Sequence, residues 1–335
     1  GHEGRSGLVL AESSHLVQNG ERDVFTVTLE SGRRLPGTSN HRLFSPDGWK
    51  EIGLLKVGDW VAVPRKMDVP YPCRDFTDSE IRFIGYLIGD GHLKDEISLT
   101  ASNPAIRDDF ISCLLDMGHR EGAADYETPS FTVNFPDERP PYVRVSRSQG
   151  DGNSGMVSPA RLLLDALGLY GRGSEEKRIP DELFGLPAQQ VAVLLGALWS
   201  TDGSCHSGVH ARQDRACLCK RADISYSSVC EGLCLDIQSL LLRLGIASTV
   251  RAVDTTYKGE PYRFHTVAVV TNPSKRAFVE QIRVVGKEAE FAVLARAIPD
   301  GDNRRIPSCL LPDGRRAQLP RGYYRYSRHV RVRPT

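Results

Sequence analysis

Two apolar helical runs, each stopped by an Asp-Gly pair, constrain this chain more than any other feature. Residues 83–92 read FIGYLIGDGH and residues 194–203 read LLGALWSTDG. The segments after them repeat as well: an offset of 127 relates Ile97 to Ile224, Leu99 to Tyr226, Leu114 to Leu241 and Gly118 to Gly245. Each copy reads α-β-β-α-β-β-α over about a hundred residues, too long a period for a solenoid. The expected architecture is α+β, with two tandem copies forming one pseudo-two-fold body.

Small residues inside the runs give a reason for them to pair. Gly85 with Gly89, and Gly196 with Ser200, form small-xxx-small pairs that let helix backbones approach closely. If the helices pack side by side about the two-fold, Asp90 and Asp202 come together at their C-terminal ends. Neighbouring carboxylates repel unless a cation stands between them, and a hard, oxygen-loving ion fits. A single helix ending in Asp-Gly is ordinary, because Gly suits the left-handed C-cap. Two such ends at matched positions of a duplicated unit point to chemistry.

The 335 residues are enough for a sizeable core, at 40% apolar and 25% charged. No apolar run approaches the roughly 20 residues of a bilayer span, and GHEGRSGLVL has no signal-peptide pattern, so the expectation is a cytoplasmic protein without a membrane partner. The formal net charge is only +1, but residues 300–335 hold nine Arg against three Asp, suiting a solvated end or a phosphate contact. The eight Cys suit buried thiols better than a disulfide framework. The group Cys205, His206, His210, Cys217 and Cys219 is a zinc candidate whose spacing fits no paired Cys-x-x-Cys site.

Residues 8–65 read as a compact all-β module, with alternation through Phe25, Val27 and Leu29 and breaks at Ser31-Gly32 and Gly58-Asp59. The boundaries that follow are 1–66 for this module, 67–77 for a Pro-containing linker, 78–190 and 191–298 for the two repeats, and 299–335 for a basic segment that returns towards the first module. Strands are expected over EISLTAS, SFTVNF, YVRVSR, ADISYSS, ASTVRAV and FHTVAVV. Helices are expected from Thr77 or Asp78, from Pro104, over SPARLLLDALGL, over EGLCLDIQSLLLRLG and over NPSKRAFVEQI. The hairpin after Asp202 is about 15 residues longer than the one after Asp90.

FIGYLIGDG and LGALWSTDG resemble the two copies of the LAGLIDADG signature of DOD-type homing endonucleases. The resemblance implies metal-binding carboxylates at Asp90 and Asp202 and an Mg²⁺ (or Mn²⁺) cofactor. KRIP at Lys177–Pro180 resembles the family's Lys-x-Ile-Pro block and implies that Lys177 is the catalytic lysine, with Lys287 at the symmetric position. It further implies two sheets forming a saddle over double-stranded DNA, with Lys94, Arg144, Arg147, Lys220, Arg221 and Arg251 as candidate contacts. The unequal hairpins imply a long, non-palindromic site read by a monomer.

The stretch GTSNHRLFSPDGWKEIGLLKVGDWVAVPR resembles the Thr-x-x-His block of intein (Hint-type) splicing domains. Thr38 and His41 match it, and in that family the His polarises the scissile peptide. The host extein of a precursor, a replicative helicase on the pattern of AVPR, is then a partner. Neither an N-terminal Cys or Ser nor a terminal His-Asn is present, so the expectation is an endonuclease within a truncated intein that does not splice. The alternatives are a DNA-binding copy that no longer cuts, and a Hint domain acting on peptides.

Overall fold

The computed structural model describes residues 14–15, 17–18, 20–67, 73–122, 128–146, 157–212, 215–301, 308–310, 316–318 and 323–332. Residues 209–212, 215–221, 257 and those beyond 301 are described by backbone alone.

The first module contains β1 (Val24–Leu29), β2 (Arg34–Thr38), β3 (Arg42–Ser45), β4 (Gly48–Glu51) and β5 (Trp60–Ala62). Its core is small: Val27, Leu29, Ile52, Leu55 and Val61. The first repeat follows as α1 (Asp78–Asp90), β6 (Gly91–His92), β7 (Ile97–Thr100), α2 (Pro104–Asp116), β8 (Arg120–Glu121), β9 (Ser130–Asn134), β10 (Tyr142–Val145) and α3 (Pro159–Ala166). The second repeat runs α4 (Ala188–Thr201), β11 (Gly203–Arg212), β12 (Arg215–Ser228), α5 (Glu231–Arg243), β13 (Ser248–Tyr257), β14 (Glu260–Val269), α6 (Asn272–Gln281) and α7 (Glu288–Ala297). The tail supplies β15 (Ser308–Leu310), β16 (Arg316–Gln318) and β17 (Tyr323–Val332).

The two repeats share one large core, and α1 and α4 lie inside it. Their sheets are ordered β6-β7-β10-β9-β8 and β11-β12-β14-β13. Helix α1 starts at a capping box: the Thr77 hydroxyl accepts from the Glu80 amide, and the Glu80 carboxylate accepts from the Thr77 amide at 2.8 Å. Within the repeats, several elements go beyond the expected ones. A two-residue β8 joins the first sheet parallel to β9, β12 begins at Arg215 rather than Ala222, and α7 follows α6. The hairpin after Asp202 therefore has long paired arms, Gly203 opposite Tyr226 through Ala211 opposite Leu218.

The α1–α4 contact corrects one sequence expectation. A Cβ on Gly85 would lie 2.7 Å from the Ala197 Cβ, and one on Gly89 would lie 2.0 Å from the Thr201 Oγ1. The residues of α4 that meet the α1 glycines are thus Ala197 and Thr201, not Gly196 and Ser200. That second pair is turned about a hundred degrees around the helix and faces the 282–285 strap. A Cβ on Gly196 would meet the Arg283 carbonyl at 2.2 Å, and the Ser200 hydroxyl accepts from the Val285 amide at 2.9 Å.

The first module joins both the tail and the second repeat. Its sheet is ordered β2-β1-β17-β5, so the tail strand lies between the first and fifth strands. The β1–β2 turn docks on α5 and β13: the Ser31 carbonyl accepts from the Val250 amide at 2.9 Å and from Gln238 Nε2 at 2.8 Å. At φ +83°, Gly32 takes a backbone conformation L-residues avoid, and a Cβ there would press on the Val250 carbonyl at 2.6 Å.

Candidate active site at the paired helix ends

Asp90 is the last residue of α1 and Asp202 the C-cap of α4, so the close helix contact carries both acids to one end of the body. Both reach solvent there. A carboxylate at a helix C-terminus already faces the negative end of the helix dipole. Flanking protein and the Asp202 charge push the Asp90 carboxyl up to about 6, against a weaker opposing pull from Lys177. Asp202 is also raised, chiefly by loss of water, while Lys177, Lys287 and Tyr226 act the other way. The Tyr226 hydroxyl stands beside Asp202, yet it makes no hydrogen bond of ordinary geometry.

Both lysines approach this end from outside the helices. Lys177, 4% exposed, donates to the Gly91 carbonyl at 2.5 Å, just past α1. Burial lowers it to about 8, while Asp202 and Asp90 hold its proton on. Lys287 donates to three carbonyls at the end of α4: Trp199 at 2.9 Å, Thr201 at 3.0 Å and Gly203 at 2.6 Å. All three of its N–H groups are thus spent on main-chain carbonyls, two in the last turn of α4 and one at the start of β11. Each lysine strap is held by the second helix of the other repeat. Asn103 at the start of α2 donates to the Gly286 carbonyl at 2.8 Å, and Asp236 of α5 grips Arg178 and Ile179.

Two acids with open oxygens, a shared repulsion and two helix dipoles aimed at them are a donor set for a hard divalent cation. Among the described residues no third His, Cys, Asp or Glu completes a metal cluster. The zinc candidate is not gathered: Cys205 pairs opposite Ile224, whereas His210 pairs opposite Cys219 five residues further along. At about 3.3 Å per residue, that separates them by roughly 17 Å. The side chains of His210, Cys217 and Cys219 lie outside the described residues.

A folded-state carboxyl held near 6 against an ordinary 3.8 binds its proton more tightly folded than unfolded. Its contribution to stability is therefore present at low pH and is lost as pH rises from about 4 through 6. We expect the melting temperature of the metal-free protein to fall across that window relative to Asp90→Asn. At pH 7, millimolar Mg²⁺ is expected to raise it in the parent and not in Asp90→Asn.

The sheets present polar faces away from the core. On the first, Arg144 lies opposite Ser98 and Thr132, and Tyr142 opposite Thr100 and Asn134. On the second, Ser227 lies opposite Thr266, with Arg251 on its far side. Of the candidate DNA contacts, Lys94, Arg144 and Arg251 are exposed, and Arg144 pairs with Glu96 at 2.9 Å. Arg147 and the side chains of Lys220 and Arg221 lie outside the described residues. Thr132, Asn134, Tyr142, Ser225, Ser227 and Thr266 belong to the same faces; strand alternation marks them, although a reading confined to cations passes over them. Thr38 and His41 are apart from this site, in a turn closed by the His41 amide on the Thr38 carbonyl at 3.0 Å.

Comparison with known proteins finds a family likeness within the second repeat. The family model for the LAGLIDADG-like domain matches residues 189–283, from the first turn of α4 to the strap after α6. Over those residues the chain is similar to that family. The α1–α3 segment repeats its pattern. Over 286 residues, 85% of this chain, the protein is 29% identical to the replicative DNA helicase DnaB of Rhodothermus marinus. Over 306 residues it is 27% identical to RecA of Mycobacterium tuberculosis, also covering 85% of this chain. The chain spans 29% of the helicase and 35% of RecA. Among solved structures, I-DmoI in complex with its target DNA aligns with 61% of this chain and 93% of its own (13% identity, TM-score 0.39). The meganuclease I-SmaMI bound to uncleavable DNA aligns with 65% and 89% (12% identity, TM-score 0.38).

Proposed function

We propose that this chain is a metal-dependent, site-specific DNA endonuclease housed in an intein-type insertion. The observation that carries the reading is the pair of open, proton-hungry acids, Asp90 and Asp202, at the abutting ends of two symmetry-related helices, the second of them within the segment that matches the LAGLIDADG-like family. With Mg²⁺ or Mn²⁺ bound, the ion supplies Lewis acidity and an activated water for in-line phosphodiester hydrolysis. Asp90 and Asp202 hold and orient that ion. Lys177, mostly ammonium at pH 7, places positive charge where negative charge grows on the phosphate. The two polar sheet faces read a long duplex, and because both acids lie in one chain, a monomer holds a complete site.

The insertion reading rests on the spread of relatives. About the same length of this chain matches a replicative helicase, RecA and a DNA gyrase of Mycolicibacterium flavescens, proteins with unlike names and tasks. A segment recurring in such different hosts behaves as a passenger. Thr38 and His41 then belong to a splicing-type module, and the flanking host is the partner from which such a module is released.

The test is cutting of a plasmid carrying the host helicase gene without the insertion, in Mg²⁺ and in EDTA. Metal-dependent double-strand breaks support the proposal; tight, salt-sensitive binding without breaks moves the function to a silent DNA-binding copy. In the same assay Lys177→Met is expected to slow cutting on the order of 10²-fold, with a smaller stability loss from the single Gly91 carbonyl it leaves unpaired. Lys287→Met is expected to do the reverse. Freeing three carbonyls at the α4 end costs about 1–3 kcal/mol of stability and leaves most of the cutting rate.

A further inference from the structure

The Lys177 strap is held by a residue far from it in sequence. Asp236, in the middle of α5 and only 7% exposed, accepts from Arg178 Nε at 2.6 Å and from Arg178 Nη2 at 2.7 Å. Its Oδ2 also accepts from the Ile179 main-chain amide at 3.2 Å. One carboxylate therefore grips both the side chain and the backbone of the two residues that follow Lys177. Such a bidentate, charge-assisted fork fixes direction as well as distance. The guanidinium lies across Gly232 on the first turn of α5, where a Cβ would come within 2.7 Å of Arg178 Cδ, Nε and Nη1. With Arg178 held out on α5, its two neighbours Lys177 and Ile179 both turn inward, at 4% and 3% exposure, and Lys177 reaches the Gly91 carbonyl.

The duplication shows that this is not a general duty of the position. An offset of 127 puts Asp109 where Asp236 stands, but Asp109 accepts from Arg82 Nη1 and from the Tyr86 hydroxyl, each at 2.6 Å, tying α2 to α1. The same acid braces a helix pair in the first repeat and holds the lysine strap in the second.

We infer that Asp236 is the positioning residue for Lys177, acting through Arg178 and the Ile179 amide. The inference deepens the endonuclease reading and rests on it for its consequence, but the geometry it asserts can be tested without cutting. Four proteins serve: the parent, Asp236→Asn, Asp236→Glu and Arg178→Met. Three measurements apply to each. These are affinity for the helicase-gene target duplex in Ca²⁺, single-turnover cutting in Mg²⁺, and the side-chain ammonium spectrum of ¹⁵N-lysine protein, with the Lys177 signal assigned by its loss in Lys177→Met. Only nine lysines are present, so the spectrum is readable.

Asp236→Asn is expected to bind DNA within about threefold of the parent while cutting roughly 30-fold more slowly, the scale of an ångström-sized misplacement. Its sheltered Lys177 signal shifts or broadens. Arg178→Met gives the same pattern to a smaller degree and carries the test if Asp236→Asn fails to fold; Asp236→Glu recovers part of the rate. The inference is overturned if the Lys177 signal stays in place in both disrupting variants, or if affinity and cutting fall in parallel with melting temperature. A parent that cuts no DNA defeats the endonuclease proposal instead, and the lysine spectrum still decides the role of Asp236.

Discussion

Asp202→Asn and Asp90→Asn are each expected to abolish double-strand cutting, by a factor on the order of 10³ or more, while leaving DNA affinity nearly intact. The substitution keeps the shape of the side chain and removes the charge that holds a divalent ion. It also relieves the repulsion between the two helix ends, so each variant should melt at or above the parent temperature at pH 7 without metal. Loss of cutting with gain of stability is hard to obtain from a damaged fold, and that combination separates a functional acid from a structural one. A variant that cuts normally, or that loses cutting only in step with its melting temperature, removes both acids from the proposed chemistry.

The second large effect lies in the helix contact that brings those acids together. Gly89→Leu asks for side-chain volume where a single Cβ already falls 2.0 Å from the Thr201 Oγ1 and 2.9 Å from its Cβ. Both helices sit in the core and neither can retreat without unpacking it. A loss of about 3 kcal/mol or more is expected, at the upper end of overpacking effects. Calorimetry should show a clear fall in melting temperature. Whatever fraction stays folded should also lose its Mg²⁺-dependent stabilisation, because spreading the helices separates Asp90 from Asp202. Pairing Gly89→Leu with Thr201→Gly should return part of both properties, since the second change empties the space the first one fills.

The acids were legible because they repeat. One Asp-Gly helix end carries little information, and two in register within a duplicated unit carry a great deal. Fine packing was less legible, and the reason is the helical pitch. Gly196 and Ser200 have the right composition and spacing, yet one residue of phase separates them from Ala197 and Thr201, which actually meet α1. Composition identifies a small-residue face without fixing its rotation. Asp236 was invisible for another reason. Its partners lie 57 and 58 residues away in sequence, and a lone acid in an apolar helix reads as a solvated face until the fold supplies Arg178. Strand β17 was harder still. A return of this basic segment towards the first module is expected from the sequence, but its composition marks neither the strand nor its partner, β1, some three hundred residues earlier.

That pairing bears on the order in which the molecule can be built. On a ribosome, α1 through α7 emerge with nearly all their core partners close behind them, so the two repeats can consolidate while synthesis continues. The sheet that β1 begins must wait for Tyr323–Val332, because β17 lies between β1 and β5 and neither of these is the other's neighbour. Closing a loop of that span carries a high contact order and is slow. Strand β1, the earliest among the described residues, is thus expected to complete its pairing after the two-repeat body has met its core partners.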